Sequence, residues 1–221
     1  MTDHTFDQRA YTLGETIVSI ETDRPDLNEA TTRLRIIDVL LFDVLGWQRE
    51  DCVAEEPLDG TYTDYSLGKP RTQLIVEAKK EGVYFNIPAG TGPLVVGLPT
   101  LVRGNKALGD AVLQAAGYCE ARGVRLAAVT NGHQLVAFLG SRDDGTAPLS
   151  GRAVVFRSLR DIEERFLDLW NFLSPDGVAQ GNLYELLRAE SRPLPPQKLS
   201  QRLWAYPGVQ GSGKVGSSVF Q

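Results

Sequence analysis

Apolar residues return at intervals of three and four from about residue 27 to 45, where Ala30, Leu34, Ile37, Leu41 and Val44 make the stripe of a helix packed on a core. Asp26 is placed to cap it, with Pro25 before and Glu29 completing a D-x-x-E capping box, and Gly46 ends it. A second stripe, Leu108, Ala111, Val112, Ala115 and Cys119, predicts a helix over 106–122 closed by Gly123. Further helices fit residues 159–173 and 181–189.

Between these lie shorter runs of strand character. Residues 52–56, 62–67 and 73–79 are separated by Gly60 and by the cluster Gly68-Lys69-Pro70-Arg71. The second and third form a hairpin whose symmetry centre falls near residues 70 and 71, and reflection through it lands Glu77 on Asp64. A slip of one residue would send Asp64 to the opposite face. Strands are also expected at 125–130 and 134–139, joined by the turn Asn131-Gly132-His133, and at 153–157. Residues 82–104 are rich in Gly and Pro yet carry Leu94-Val-Val-Gly-Leu98, which reads as a partly buried loop able to cover a site. The pattern describes an α/β fold, a mixed and mostly antiparallel sheet of about five strands flanked by helices. Residues 1–25 read as an N-terminal extension, 26–173 as the main domain, 174–190 as a C-terminal helical segment and 191–221 as a Pro/Gly-rich tail.

Composition narrows the chemistry. The chain has 221 residues, 42% of them hydrophobic, enough for one ordinary core. The polar, acidic start has neither part of a signal peptide and no run approaches a membrane span, so a cytoplasmic protein is expected. Two cysteines and two histidines are too few for a zinc cluster or a disulfide framework, and any metal must rest on carboxylates. Residues 1–191 hold 19 basic and 28 acidic side chains, a net of −9, so a polyanion would be bound weakly unless something else loads it.

The hairpin carries the strongest chemical signal. Asp64, twelve residues, then Glu77-Ala78-Lys79 is the pattern D-x(n)-E-x-K on adjacent strands. Like charges opposed across a sheet cost stability and call for a cation. A hard ion with oxygen ligands, Mg²⁺ with Mn²⁺ as substitute, suits Asp64, Glu77 and the Ala78 carbonyl. Lys79, on the same face, is placed to orient or deprotonate a water. Two carboxylates, a metal and an amine describe attack on a phosphodiester.

In these residues the chain resembles the PD-(D/E)XK nuclease superfamily, and within it the N-terminal nuclease domain of the motor subunit of type I restriction enzymes. The resemblance covers about residues 29–132: Val44-Leu45-Gly46-Trp47, Asp64-Tyr65-Ser66-Leu67, Glu77-Ala78-Lys79-Lys80, then Gln114-Ala-Ala-Gly-Tyr118 for the Q-x-x-x-Y motif and Thr130-Asn131-Gly132 for its turn. Thr63 stands where the family name has proline, a position at which many members vary. The resemblance implies a restriction-endonuclease-like core with Asp64, Glu77 and Ala78 at the metal, Lys79 as catalytic amine and Glu29 as an outer carboxylate. It implies that Gln114 approaches the scissile phosphate and that Gln114, Tyr118 and Lys80 bind DNA. The expected function is a Mg²⁺-dependent DNA endonuclease module of a restriction or antiphage system, working with a motor or specificity protein.

Each reading has a plainer rival. Glu77 and Lys79 also fit a solvated surface pair, Glu29 a helix cap, and Gln114 and Tyr118 a helix rim. The whole also fits a catalytically silent nuclease-fold module that binds DNA or a partner. Gly208-Val-Gln-Gly-Ser-Gly-Lys214 has the spacing of a phosphate-binding loop, but Val215 replaces the metal-binding hydroxyl and no apolar strand precedes it, so ATP is not expected to bind this chain.

Overall fold

The computed structural model of the chain describes residues 3–23, 33–58, 61–79, 85–88 and 92–188. Among these, seven strands form one mixed sheet: β1 Cys52–Leu58, β2 Thr61–Leu67, β3 Leu74–Ala78, β4 Val95–Gly97, β5 Leu126–Thr130, β6 Leu135–Leu139 and β7 Arg152–Phe156, in the order β1-β2-β3-β5-β6-β7-β4. The chain is thus α/β with a mixed sheet, but with seven strands rather than about five. The strand that the apolar alternation did not show is β4, three half-buried residues on the edge against β7, inside the stretch expected to be loop. It is too short for a period-two pattern and runs directly into helix α3, Leu98–Val102.

Only β3 and β5 are parallel, and the connection between them contains helix α4, Lys106–Arg122. The other neighbours are antiparallel. Alternation along the strands divides the core in two. Ile75, Ala127, Val129, Val136, Phe138 and Val155 turn toward α4, whereas Leu74, Val76, Ala78, Ala128, Ala137, Val154 and Phe156 turn to the other face. Every residue of β3, β5 and β6 is buried, which is why these strands read as apolar runs, broken only by Glu77 in β3 and Thr130 at the end of β5.

The second face is covered by α1 (Asp3–Asp23), α2 (residues 33–44), α5 (Leu159–Glu164), α6 (Phe166–Leu173), α7 (Pro175–Ala179) and α8 (Asn182–Arg188). Helix α1 occupies the stretch expected as an extension. Phe6, Ala10, Leu13, Ile17 and Ile20 form its inward stripe, a helical spacing diluted by the polar residues around it. Its Arg9 donates to the Asp43 carbonyl at 2.8 Å, which closes the end of α2.

Helix α2 is wound with the wider π turn over Arg33–Ile37 and Val39–Val44. Its buried residues come in pairs every four positions, Ile36 and Ile37, Leu40 and Leu41, Val44 and Leu45, a longer repeat than the α-helical 3.6. The expected start of this helix, with Asp26, Glu29 and Ala30, lies outside the described residues. The single helix expected over 159–173 breaks at Arg165, whose φ of −112° and ψ of 30° leave the helical region. There Arg165 pairs with Asp161 at 2.9 Å and donates to the Gly92 carbonyl at 2.9 Å. Helices α7 and α8 place Val178, Leu183 and Leu187 in the same apolar cluster as the rest of that face. The tail and its Gly208–Lys214 run fall outside the described residues, and no described helix is long and apolar enough to cross a membrane.

Candidate active site

The β2–β3 ladder pairs Leu67 with Leu74, Ser66 with Ile75 and Tyr65 with Val76, and stops there. Carried one step further, this register sets Asp64 beside Glu77, as the symmetric loop requires. Ser66 faces Ile75 on the α4 side, so Asp64 and Glu77, two residues along, belong to that side as well. At this point the backbone exchange between the strands gives way to a side chain: the Asp64 carboxylate accepts the Ala78 N–H at 2.7 Å. Beyond β3, the Lys79 N–H donates to the Thr130 carbonyl at 2.7 Å, so the end of β3 remains bound to β5.

Glu77 is 1% exposed. A buried carboxylate is costly without a counter-charge, and Lys79 supplies one: its Nζ lies 2.5 Å from Glu77 Oε1. The same ammonium donates to Gln114 Oε1 at 3.1 Å. Gln114 Nε2 donates to the Tyr118 hydroxyl at 2.9 Å, and that hydroxyl donates to the Tyr62 carbonyl at 2.9 Å. One chain of hydrogen bonds therefore runs from the amine just past β3, through one turn of α4, back to β2. Farther along α4, Arg122 Nη1 meets Glu56 Oε2 on β1 at 2.5 Å, and Gly123, at φ 65°, ends the helix. Helix α4 is thereby tied to Lys79 at the end of β3, to β2 and to β1.

The structure brings together Asp64, Glu77, Ala78, Lys79 and Gln114. Glu77 and Lys79 are not a solvated surface pair, because the carboxylate is enclosed. Tyr118, expected at DNA, is 3% exposed with its hydroxyl committed within the protein, so its visible work is to hold Gln114 against β2. Glu29 and Lys80 lie outside the described residues. Sequence reading did not single out the Thr130 carbonyl as the anchor of Lys79, nor Tyr62, and no side-chain pattern marks a backbone acceptor. His133 sits half-buried in the β5–β6 turn. Burial pushes the Cys119 thiol up to about 12, which keeps it an inert neutral group in the core.

Residues 85–88 run beside this end of the sheet and are held by two buried amides. Asn105 donates to the Phe85 carbonyl at 2.7 Å, while Gln134 accepts the Phe85 N–H at 3.1 Å and donates to the Ile87 carbonyl at 3.3 Å. These bonds satisfy backbone groups that no strand pairs, and so allow Phe85 and Ile87 to be buried.

The donor chemistry around Asp64 is all oxygen: two carboxylates and, on the same strand edge as the Ala78 N–H, the Ala78 carbonyl. That set suits a hard divalent cation, which takes one or two carboxylates and retains water. Among the described residues no third carboxylate, histidine or cysteine joins the pair in a metal-binding group. No family model, curated protein or solved structure matches the chain.

Proposed function

We propose that the chain is a metal-dependent DNA endonuclease module with a restriction-endonuclease-like core, acting in a restriction or antiphage system. The observation that carries this reading is the Lys79 ammonium bonded to both the enclosed Glu77 carboxylate and the Gln114 amide, next to Asp64, at the place where the β2–β3 ladder ends. A structural ion pair does not need a second carboxylate beside it at an opened strand edge. The resemblance to PD-(D/E)XK nucleases rests on these same residues.

In this reading Asp64, Glu77 and the Ala78 carbonyl would hold Mg²⁺, for which Mn²⁺ would substitute. The ion, when bound, supplies charge stabilisation to a phosphodiester and lowers the pKa of its water. Lys79, whose Nζ is bonded to Gln114 Oε1 as well as to Glu77, would orient a water or the phosphate beside that site. Tyr118 fixes the other end of the Gln114 amide, so the amide keeps the Lys79 amine in its direction. The acidic body, −9 over residues 1–191, accounts for a need to be loaded onto DNA by a motor or specificity protein in a larger complex.

A catalytically silent module that keeps the fold is favoured by one observation: Glu77 already has its counter-charge in Lys79, and no third acidic ligand joins Asp64 among the described residues. Supercoiled plasmid incubated with the purified chain in Mg²⁺, in Mn²⁺ and in EDTA separates the two. Nicking that needs the metal and disappears in Lys79→Ala supports the enzyme. Intact plasmid in both metals supports the silent module.

A further inference from the structure

Tyr62 is 61% exposed, an unusual state for an aromatic on a strand whose other described apolar side chains, Tyr65 and Leu67, are buried. Its position is not arbitrary. The register that sets Asp64 beside Glu77 sets Tyr62 beside Lys79 two residues further on. By strand alternation Tyr62 and Asp64 share a face, about 7 Å apart along β2. Its backbone is fixed while its ring is not: the carbonyl accepts the Tyr118 hydroxyl at 2.9 Å, at the end of the chain that begins on Lys79 Nζ. On α4, Leu113, adjoining Gln114, is also 55% exposed.

We infer that the Tyr62 ring is a stacking platform for an unpaired nucleobase beside the phosphate held at Asp64, Glu77 and Lys79, so that the preferred substrate is a single or locally unwound strand. The inference rests on the proposed nuclease reading for the placement of the phosphate. A nucleobase is the occupant that fits. It carries a flat apolar face at roughly the distance from a phosphate that separates the two residues, and stacking on an exposed ring adds affinity where the protein's net negative charge subtracts it. A base within a continuous duplex is covered by its neighbours and offers no face to Tyr62. The ring also cannot serve as a minor-groove wedge without first unstacking a step.

The test uses the full chain, Ca²⁺ in place of Mg²⁺, and an oligothymidylate carrying 2-aminopurine at every third position, whose fluorescence falls when the base stacks on a ring. The wild type and Tyr62→Phe are expected to quench it alike. Tyr62→Leu, tolerated by the fold because the ring is exposed, is expected to need roughly ten-fold more protein or to show no quenching. Unlabelled oligothymidylate should compete at least about ten-fold better than an unlabelled blunt hairpin duplex of equal length. Equal quenching by wild type and Tyr62→Leu, no quenching by either, or equal competition by duplex overturns the inference. The readout does not depend on cleavage. A wild type that quenches through Tyr62 but leaves plasmid intact in Mg²⁺ and Mn²⁺ overturns the nuclease reading and supports the stacking platform.

Discussion

Two antiparallel hairpins stand side by side in one sheet and use their length differently. The β5–β6 hairpin pairs five residues with five, from Leu126 with Leu139 to Thr130 with Leu135, all of them buried. Its turn is closed by the Asn131 side chain, which accepts from the N–H groups of His133 at 3.1 Å and Gln134 at 2.7 Å. The β2–β3 hairpin pairs three with three and then stops, although both strands continue. The two residues past its last pair are Asp64 and Glu77. A full ladder satisfies every backbone group and leaves no place for a ligand, whereas a ladder cut short frees an edge that side chains must serve. The Asp64 carboxylate on the Ala78 N–H is that service.

The sharpest way to break the comparison is at Lys79. Lys79→Ala is predicted to lower cleavage by about 10²- to 10⁴-fold, the range for losing a positioned acid–base group. It also leaves the enclosed Glu77 without its counter-charge, at a cost of about 1–3 kcal/mol, toward the low end because Lys79 is itself partly exposed. Adding Glu77→Gln in the same chain should restore the melting temperature and not the cleavage. Restoration of both, or of neither, would mean that the pair serves only the fold. In the other hairpin the sign pattern reverses. Phe138→Ala, at a fully buried position facing α4, should cost about 3–5 kcal/mol in urea unfolding while cleavage per folded molecule stays at the wild-type level.

This division explains which parts the sequence made legible. Strands buried on both faces are apolar along most of their length, so β3, β5, β6 and β7 announced themselves, and the symmetric loop matches the register whose continuation sets Asp64 beside Glu77. Helix α4 was readable residue by residue because Leu108, Ala111, Val112, Ala115 and Cys119 all face one side. Three features were not readable. The π winding of α2 differs from an α-helix by less than one residue per turn, β4 is shorter than any period, and α1 has its apolar stripe diluted by polar neighbours. In the site, side chains with a chemical signature were found by type and spacing. The links that orient them, the Thr130 carbonyl on Lys79 and the Tyr62 carbonyl on Tyr118, are backbone groups that every residue possesses.

A smaller effect lies where α4 meets the end of β6. A Cβ at Gly140 would stand 2.6 Å from Cys119 Sγ and 3.1 Å from Ala127 Cβ. Gly140→Ala is therefore predicted to destabilise by about 1–3 kcal/mol, measurable as a lower urea midpoint with unchanged slope, and Cys119→Ala should relieve only part of that cost, because the Cβ of residue 119 stays 2.8 Å from the added methyl. The same burial gives a pH signature. The Cys119 thiol rises from 9.0 to about 12 in the folded chain. Above pH 9 the unfolded chain releases a proton that the folded chain retains, so stability falls by about 1 kcal/mol per pH unit between 9 and 12. Cys119→Ala should flatten that decline. An identical decline in both proteins would assign it to other groups.

The smallest predicted change is the most informative about the shortened ladder. Asp64→Asn keeps an oxygen to accept the Ala78 N–H, so the bond at the end of β2–β3 survives, while one of two neighbouring negative charges is removed. Opposed like charges in a sheet cost a few tenths to about 1 kcal/mol, and a chain of this size shifts by roughly 2–4 °C per kcal/mol. Without metal the variant should melt at or slightly above the wild type. An ion that binds only the folded state stabilises it by mass action, so millimolar Mg²⁺ should raise the wild-type melting temperature and leave Asp64→Asn almost unmoved. The two strands then differ in kind from β5 and β6: their unpaired ends are held together for a ligand rather than for the fold. A variant that melts clearly lower without metal, with neither protein responding to Mg²⁺, would make Asp64 a cap on the Ala78 N–H and nothing more. The ion pair of Glu77 and Lys79 would then be the ordinary neutralisation of a buried carboxylate, and the silent module would be the better description of this chain.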